Sequence, residues 1–266
     1  MSGKTGDFRM AEYRNRNRIL YPLGVTQEEN GVHILVQGRA GEVRLLLYRP
    51  VEKKPCEEIS FDPKHRMGDV WELALDRTDF ASFEYNFMID GKIVTDPNAR
   101  VITGREKWAD RKHAGKPVHG RVLSEEFDWE DDLNPETPYA DTILYKLHVR
   151  GFSMDSGKKG KMRGTFAAVE ERIPYLKALG VTTVELMPVY EFEEIEIPKK
   201  QKLPGYIPKG CLPEKKTGSE TEKEKWKVNY WGYAKGSYFA PKASYGYSKN
   251  VTRELKHLID TLHQNQ

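Results

Sequence analysis

The hydrophobic period of this chain changes once, near residue 110, and that change restricts it to two unlike parts. Between residues 19 and 110 the apolar positions alternate as in antiparallel strands. Val32-His33-Ile34-Leu35-Val36 and Glu42-Val43-Arg44-Leu45-Leu46-Leu47-Tyr48 are β-rich runs on either side of Gly38-Arg39-Ala40-Gly41, a hairpin-like break. Val70-Trp71-Glu72-Leu73-Ala74-Leu75 and Phe83-Glu84-Tyr85-Asn86-Phe87-Met88-Ile89 alternate in the same way. Asp90-Gly91 then turns the chain into Lys92-Ile93-Val94, a strong two-residue hairpin signal. Strands at this spacing predict an immunoglobulin-like β-sandwich of about 90 residues, preceded by a tail over 1–18. Trp71, central in an alternating strand, is assigned to the core; only an outward-facing ring there would stack on a ligand.

Residues 111–139 lack a period and contain Pro117, Pro135 and Pro138, which reads as a linker with Phe127 and Trp129 as its anchors. From 140 onward the pattern becomes strand–helix–strand. Ile143 to Val149 is a short apolar run suited to a buried parallel strand. Phe166, Val169, Ile173 and Leu176 follow at helical spacing, with Pro174 as a kink or re-initiation point and Gly180 as the stop. Val181 to Val189 supplies a second strand. After a long loop over 190–249, Val251, Leu255, Leu258, Ile259 and Leu262 mark an amphipathic helix with Asn250 as its N-cap. The expectation over 140–266 is two β/α repeats of a barrel.

Composition removes several function classes. Lys and Arg number 43 and Asp and Glu 40, so the net charge of +3 gives no global attraction to nucleic acid or to an anionic membrane. The basic run Arg14, Arg16 and Arg18 is read as a solvated tail. Cys56 and Cys211 stand alone, without the spacing of a metal site or a disulfide framework, which fits a reducing, cytoplasmic compartment. No segment reaches the roughly 18–20 apolar residues of a membrane span, and Met1 to Met10 carries no apolar leader core. No cofactor and no metal are expected. The acidic cluster Glu191, Glu193, Glu194 and Glu196 fits no calcium loop and is read as solvated charge. The charged 214–227 portion of the long loop is poor in apolar residues and is expected to be mobile.

One segment invites a functional reading. In Asn229-Tyr230-Trp231-Gly232-Tyr233 and Gly236-Ser237-Tyr238-Phe239-Ala240-Pro241, five aromatic rings fall within eleven residues. Gly232, Gly236 and Pro241 keep it from forming a regular helix. Large flat rings on a fixed loop suit a ligand with apolar faces and polar edges, such as a pyranose. Equally, they could fill an apolar gap beneath the loop. Both readings stay open on the residues alone.

The segment resembles the N-Y-W-G-Y…Y-F-A-P stretch of the alpha-amylase superfamily, glycoside hydrolase family 13, in its debranching branch of isoamylases and type I pullulanases. Two further blocks match in the same order. Leu144-Tyr145-Lys146-Leu147-His148-Val149-Arg150-Gly151-Phe152 resembles the first barrel strand of those enzymes. Gly164-Thr165-Phe166, Ile173 to Thr182, and Val184-Glu185-Leu186-Met187-Pro188-Val189 resemble the first helix and second strand. In the sandwich, Tyr21-Pro22-Leu23-Gly24, Gly31-Val32, Asp90-Gly91-Lys92 and Thr95-Asp96-Pro97 are similar to family 48 carbohydrate-binding modules. The resemblance implies an α-glucan ligand, with Tyr233 stacking on the sugar beside the scissile bond and Tyr230 and Trp231 supporting it. Asn229 either bonds a sugar hydroxyl or caps the loop. His148 is expected to be buried rather than reactive.

A complete (β/α)8 barrel takes about 250 residues, and roughly 127 follow residue 139, so the barrel is expected to be incomplete. The D-x-x-x-N-H block of the family is absent. No acidic pair can be assigned to the two carboxyl roles of a retaining glycosidase. The expectation is therefore an N-terminal portion of a debranching hydrolase, inactive alone and with no catalytic residue of its own. Competing readings are a branching enzyme, whose corresponding block is of H-V-G-S-F type, and a non-catalytic glucan-binding protein. Leu144, Leu147, Val184 and Leu186 are expected to leave apolar surface uncovered and to promote self-association.

Overall fold

The computed structural model describes residues 21–113, 118–123, 127–129, 132, 135–155, 162–196 and 227–265. The tail with Arg14, Arg16 and Arg18, Cys211, and the 214–227 segment up to Trp226 lie outside them. Two compact units are present, Met1–Ala99 with Arg121–Ser124, and Arg100–Gly120 with Glu125–Gln266.

In the first unit, β1 (Gly24–Gln27), β2 (Val32–Gln37), β3 (Val43–Tyr48), β4 (Glu57–Ser60), β5 (Arg66–Met67), β6 (Val70–Leu75), β7 (Glu84–Ile89) and β8 (Lys92–Val94) follow in order. One sheet runs β1-β2-β6-β5; the other holds β4-β3-β7, with β8 also on β7. Every one of these pairings is antiparallel. Both sheets supply core: Ile34, Leu45, Leu47, Trp71, Tyr85 and Phe87 are buried. Trp71 is therefore a core residue, with the Arg66 guanidinium 5.0 Å over its ring.

Asp90-Gly91 closes the β7–β8 hairpin with φ of 46° and 75°, the two positive values that a type I′ turn needs. The Gly38–Gly41 break is different. β2 and β3 lie in separate sheets, so this segment carries the chain from one sheet to the other and is no hairpin. Both flanking strands bury nearly continuous apolar runs, and a turn signal alone does not say which partner each will take. The Gly24 and Thr95-Asp96-Pro97 motifs meet in space. A Cβ at Gly24 (φ 97°) would lie 2.9 Å from the Asn98 side chain, while Asp96 accepts from the Tyr85 hydroxyl at 2.7 Å.

The second unit begins with β9 (Val101–Thr103), which pairs with β10 (His119–Arg121). β11 (Leu144–Leu147) is followed by three short helices, α1 (Val149–Met154), α2 (Phe166–Glu170) and α3 (Ile173–Ala178), then by β12 (Thr183–Leu186). β11 and β12 pair in parallel, Leu144 opposite Thr183 and Leu147 opposite Leu186. The strand is shorter than the sequence pattern implied. At His148 the backbone turns into α1, because the His148 ring caps that helix by accepting the Gly151 N–H at 2.9 Å. Pro174 sits in the first turn of α3 and re-initiates the helix after a break at Arg172. Gly180 (φ 77°) ends it, and the Val181 N–H reaches back to the Leu176 carbonyl at 3.1 Å.

The 190–249 excursion is not plain loop. It contains β13 (Tyr190–Phe192), β14 (Ile195–Glu196), β15 (Lys227–Val228) and β16 (Gly236–Pro241), in antiparallel pairs β13–β16 and β14–β15. α4 (Val251–Asn265) closes the chain, its first turn capped by Asn250 Oδ1, which accepts the Arg253 N–H at 3.0 Å. Phe166, Val169, Ile173, Leu176 and Leu258 form the core between these elements. No described helix is long and apolar enough to cross a membrane.

Candidate functional site

His148, at the end of β11, is the point where the site is tied together. It is 7% exposed, and its Nδ1 is occupied by the Gly151 N–H, so the ring proton resides on Nε2. From there it donates to the Tyr230 carbonyl at 2.7 Å, across 82 residues of sequence. The Tyr230 ring stacks on the imidazole at 4.3 Å and 11°. Burial, aided by the nearby Arg150 charge and opposed by the Tyr230 carbonyl, holds the His148 pKa below its ordinary value. A neutral imidazole with both nitrogens engaged orients a loop; it has no free atom for chemistry.

Trp108 sits at the centre of the same cluster. Its ring stacks on Tyr245 at 5.7 Å and 18°, and meets Phe192, Tyr230 and His148 edge-on. The Arg150 guanidinium lies 5.1 Å from its centroid. Tyr245 is fully buried, and that burial pushes its phenol far above the usual range. Neither Trp108 nor Tyr245 was singled out from the sequence. Trp108 falls where no period exists, and only its residue type could have marked it.

Glu191 and Glu194 correct the sequence reading of a solvated acidic cluster. Both are buried, and both are held by Lys242, which has 0% exposure. The Lys242 ammonium donates to Glu191 Oε1 at 2.6 Å, to Glu194 Oε2 at 2.5 Å and to the Phe192 carbonyl at 3.0 Å. The other carboxylate oxygens accept backbone N–H groups, Glu191 from Ala243 at 2.6 Å and Glu194 from Ala109 at 3.3 Å. Burial raises the Glu191 pKa against the pull of Lys242. Glu193, by contrast, turns outward to Arg105. The counter-charge lies about 50 residues downstream, so local spacing could not reveal it.

The loop between β15 and β16 hangs on this framework. The Asn229 N–H donates to the Glu194 carbonyl at 2.8 Å, and its Oδ1 accepts the Gly232 N–H at 3.0 Å, a loop-capping contact. Gly232 (φ 81°) lies against Phe192, whose ring would be 2.5 Å from a Cβ. Tyr190 donates its hydroxyl to the carbonyls of Gly232 and Ala234, at 3.0 and 2.6 Å. Of the predicted ligand residues, Asn229 and Tyr230 face inward. Trp231 and Tyr233 are 57% and 63% exposed. Glu185 and then Tyr233 raise the Lys146 pKa, and the Tyr233 ring stays open. Tyr238 and Phe239 on β16 are also exposed. The site thus presents rings on a loop with a fixed backbone, which can bind and orient.

No protein-family model matches the chain. The glycogen operon protein GlgX homolog of Haemophilus influenzae is 32% identical over 279 residues, covering 95% of this chain and 37% of its own. Isoamylase 1 (chloroplastic) of Arabidopsis thaliana is 28% identical over 272 residues, 91% of this chain and 32% of its own. The chain matches debranching enzymes of glycoside hydrolase family 13 over their N-terminal portion. This debranching-enzyme homologue spans about a third of the length of those relatives. Its fold is similar to part of the pullulanase from Paenibacillus barengoltzii solved in complex with maltohexaose and alpha-cyclodextrin. The TM-score is 0.66 at 21% identity, over 92% of this chain and 36% of that one.

Proposed function

We propose that this chain is the N-terminal, glucan-binding portion of an α-glucan debranching hydrolase. The whole protein would cleave α-1,6 linkages of glycogen- or starch-like polymers by a retaining two-carboxylate mechanism. On this reading β11, β12 and their helices are the first two β/α repeats of a catalytic barrel. The antiparallel unit ahead of them is a module of carbohydrate-binding family 48 type. A reducing, cytoplasmic setting suits the unpaired thiol of Cys56.

The observation that carries the reading is the pair of open rings, Trp231 and Tyr233, on a loop whose backbone is fixed at Asn229, Gly232 and Ala234. Aromatic faces of this kind stack on pyranose rings, and a fixed loop loses little entropy on binding. Hydrolysis is assigned elsewhere in the whole protein. Retaining enzymes need two accessible carboxyl groups about 5–5.5 Å apart. The acidic pair of this site, Glu191 and Glu194, is sealed under Lys242. The 266-residue chain is therefore proposed to bind maltooligosaccharide and to release no reducing ends from pullulan.

Titration with maltohexaose tests this. Trp231→Ala and Tyr233→Ala are each expected to weaken binding about 2- to 10-fold, with the melting temperature nearly unchanged. In the whole enzyme, Tyr233→Ala should lower kcat as well as raise KM, since the stack orients the reacting sugar. Normal affinity with a large drop in melting temperature would return these rings to a packing role.

A further inference from the structure

Lys242 has no role in the ligand contacts just proposed, yet it is placed where the ring-bearing loop is anchored. Its ammonium gathers Glu191, the Phe192 carbonyl and Glu194, three positions of one short segment starting in β13. That same segment holds the loop. The Glu194 carbonyl takes the Asn229 N–H, the Phe192 ring supports Gly232, and Tyr190 binds the Gly232 and Ala234 carbonyls. The Lys242 N–H also bonds the Val189 carbonyl at 2.6 Å, so main chain and side chain clamp the segment from both ends. Two carboxylates turned inward toward one ammonium are stable only while that ammonium is present.

We infer that Lys242 is a positioning residue for glucan binding, acting through Glu191, Glu194 and β13 to fix the Asn229–Tyr233 loop. The inference rests on the glucan reading for its ligand, but its geometry can be tested without one. Without the ammonium, Glu191 and Glu194 repel and the segment between them moves, carrying Asn229 and Gly232 with it. Val169 and Leu258 share a buried core with Phe192, but they take no part in the hydrogen bonds that join Lys242 to Glu191, Phe192 and Glu194.

The test uses the full chain with Lys242→Met, of similar length but uncharged, and Glu194→Gln, which keeps the Lys242–Glu191 pair and an oxygen acceptor at 194. Amide hydrogen exchange at Asn229 and Gly232 should speed up about 10-fold or more in Lys242→Met, and less in Glu194→Gln, with Val169 and Leu258 unchanged. Maltohexaose affinity should fall in the same order, below the melting temperature of each variant. Unchanged loop protection, or equal acceleration of all four amides, would overturn the assignment and leave Lys242 as a general fold support. If Lys242→Met does not fold, Glu194→Gln decides by the same two readouts. Should the parent chain fail to bind maltohexaose, the glucan reading fails while the exchange measurement still decides the positioning role.

Discussion

At the scale of single residues, the site is built from groups whose polar atoms are already committed. His148 illustrates the consequence for pH. Its folded pKa is depressed, so the native state binds fewer protons than the unfolded chain below the ordinary value of 6.5. Stability is fully present above that pH and is lost as pH falls through the folded pKa. His148→Asn retains an acceptor for the Gly151 N–H and removes the titration. Its melting temperature should fall less steeply on acidification than that of the parent, and the difference between the two curves isolates this histidine. Gly232 makes a second residue-scale case. Gly232→Ala would place a methyl group 2.5 Å from the Phe192 ring at a φ of 81°. The backbone strain alone is expected to cost about 1–3 kcal/mol, read as a lower denaturation midpoint.

At the scale of elements, α4 depends on its first turn. Asn250 caps it through the Arg253 N–H, and Glu254 accepts the N–H groups of Tyr247 and Ser248. Asn250→Ala should cost about 1 kcal/mol, measurable by urea unfolding, and Asn250→Asp much less. Such local devices were legible in the sequence. Asp90-Gly91, Pro174, Gly180 and Asn250 each act within a few residues, where backbone conformation follows from residue type. What could not be read was pairing over distance. Gly38–Gly41 looks like a hairpin because its residues permit a turn, while the partners of β2 and β3 are chosen by which apolar faces meet. The same applies to Glu191 and Glu194, whose charge is visible but whose burial depends on Lys242. Tyr230 likewise belonged to a recognisable segment, yet its stacking on His148 emerges only when residues 82 apart are brought together.

At the scale of the whole molecule, apolar surface remains uncovered beside β11 and β12. Ile143 and Leu144 are 53% and 54% exposed, and half-buried Val184 and Leu186 line a groove of about 330 Å³ with residues of α3 and α4. Leu147 corrects the expectation drawn from sequence: it is buried against the helices, since its side chain takes the opposite face of β11 from Leu144 and Lys146. We expect hydrophobic-dye binding and a sedimentation coefficient that rises with concentration; a monodisperse monomer without dye binding would contradict both. Lys242 has a further consequence of a different kind. An amine sealed from solvent cannot meet an acylating reagent, whereas exposed lysines such as Lys146 can. In mass-spectrometric footprinting it should stay unlabelled in native protein and acquire its tag only when the β13–β16 ribbon opens. The chain thus carries an internal chemical clock for the opening of that ribbon.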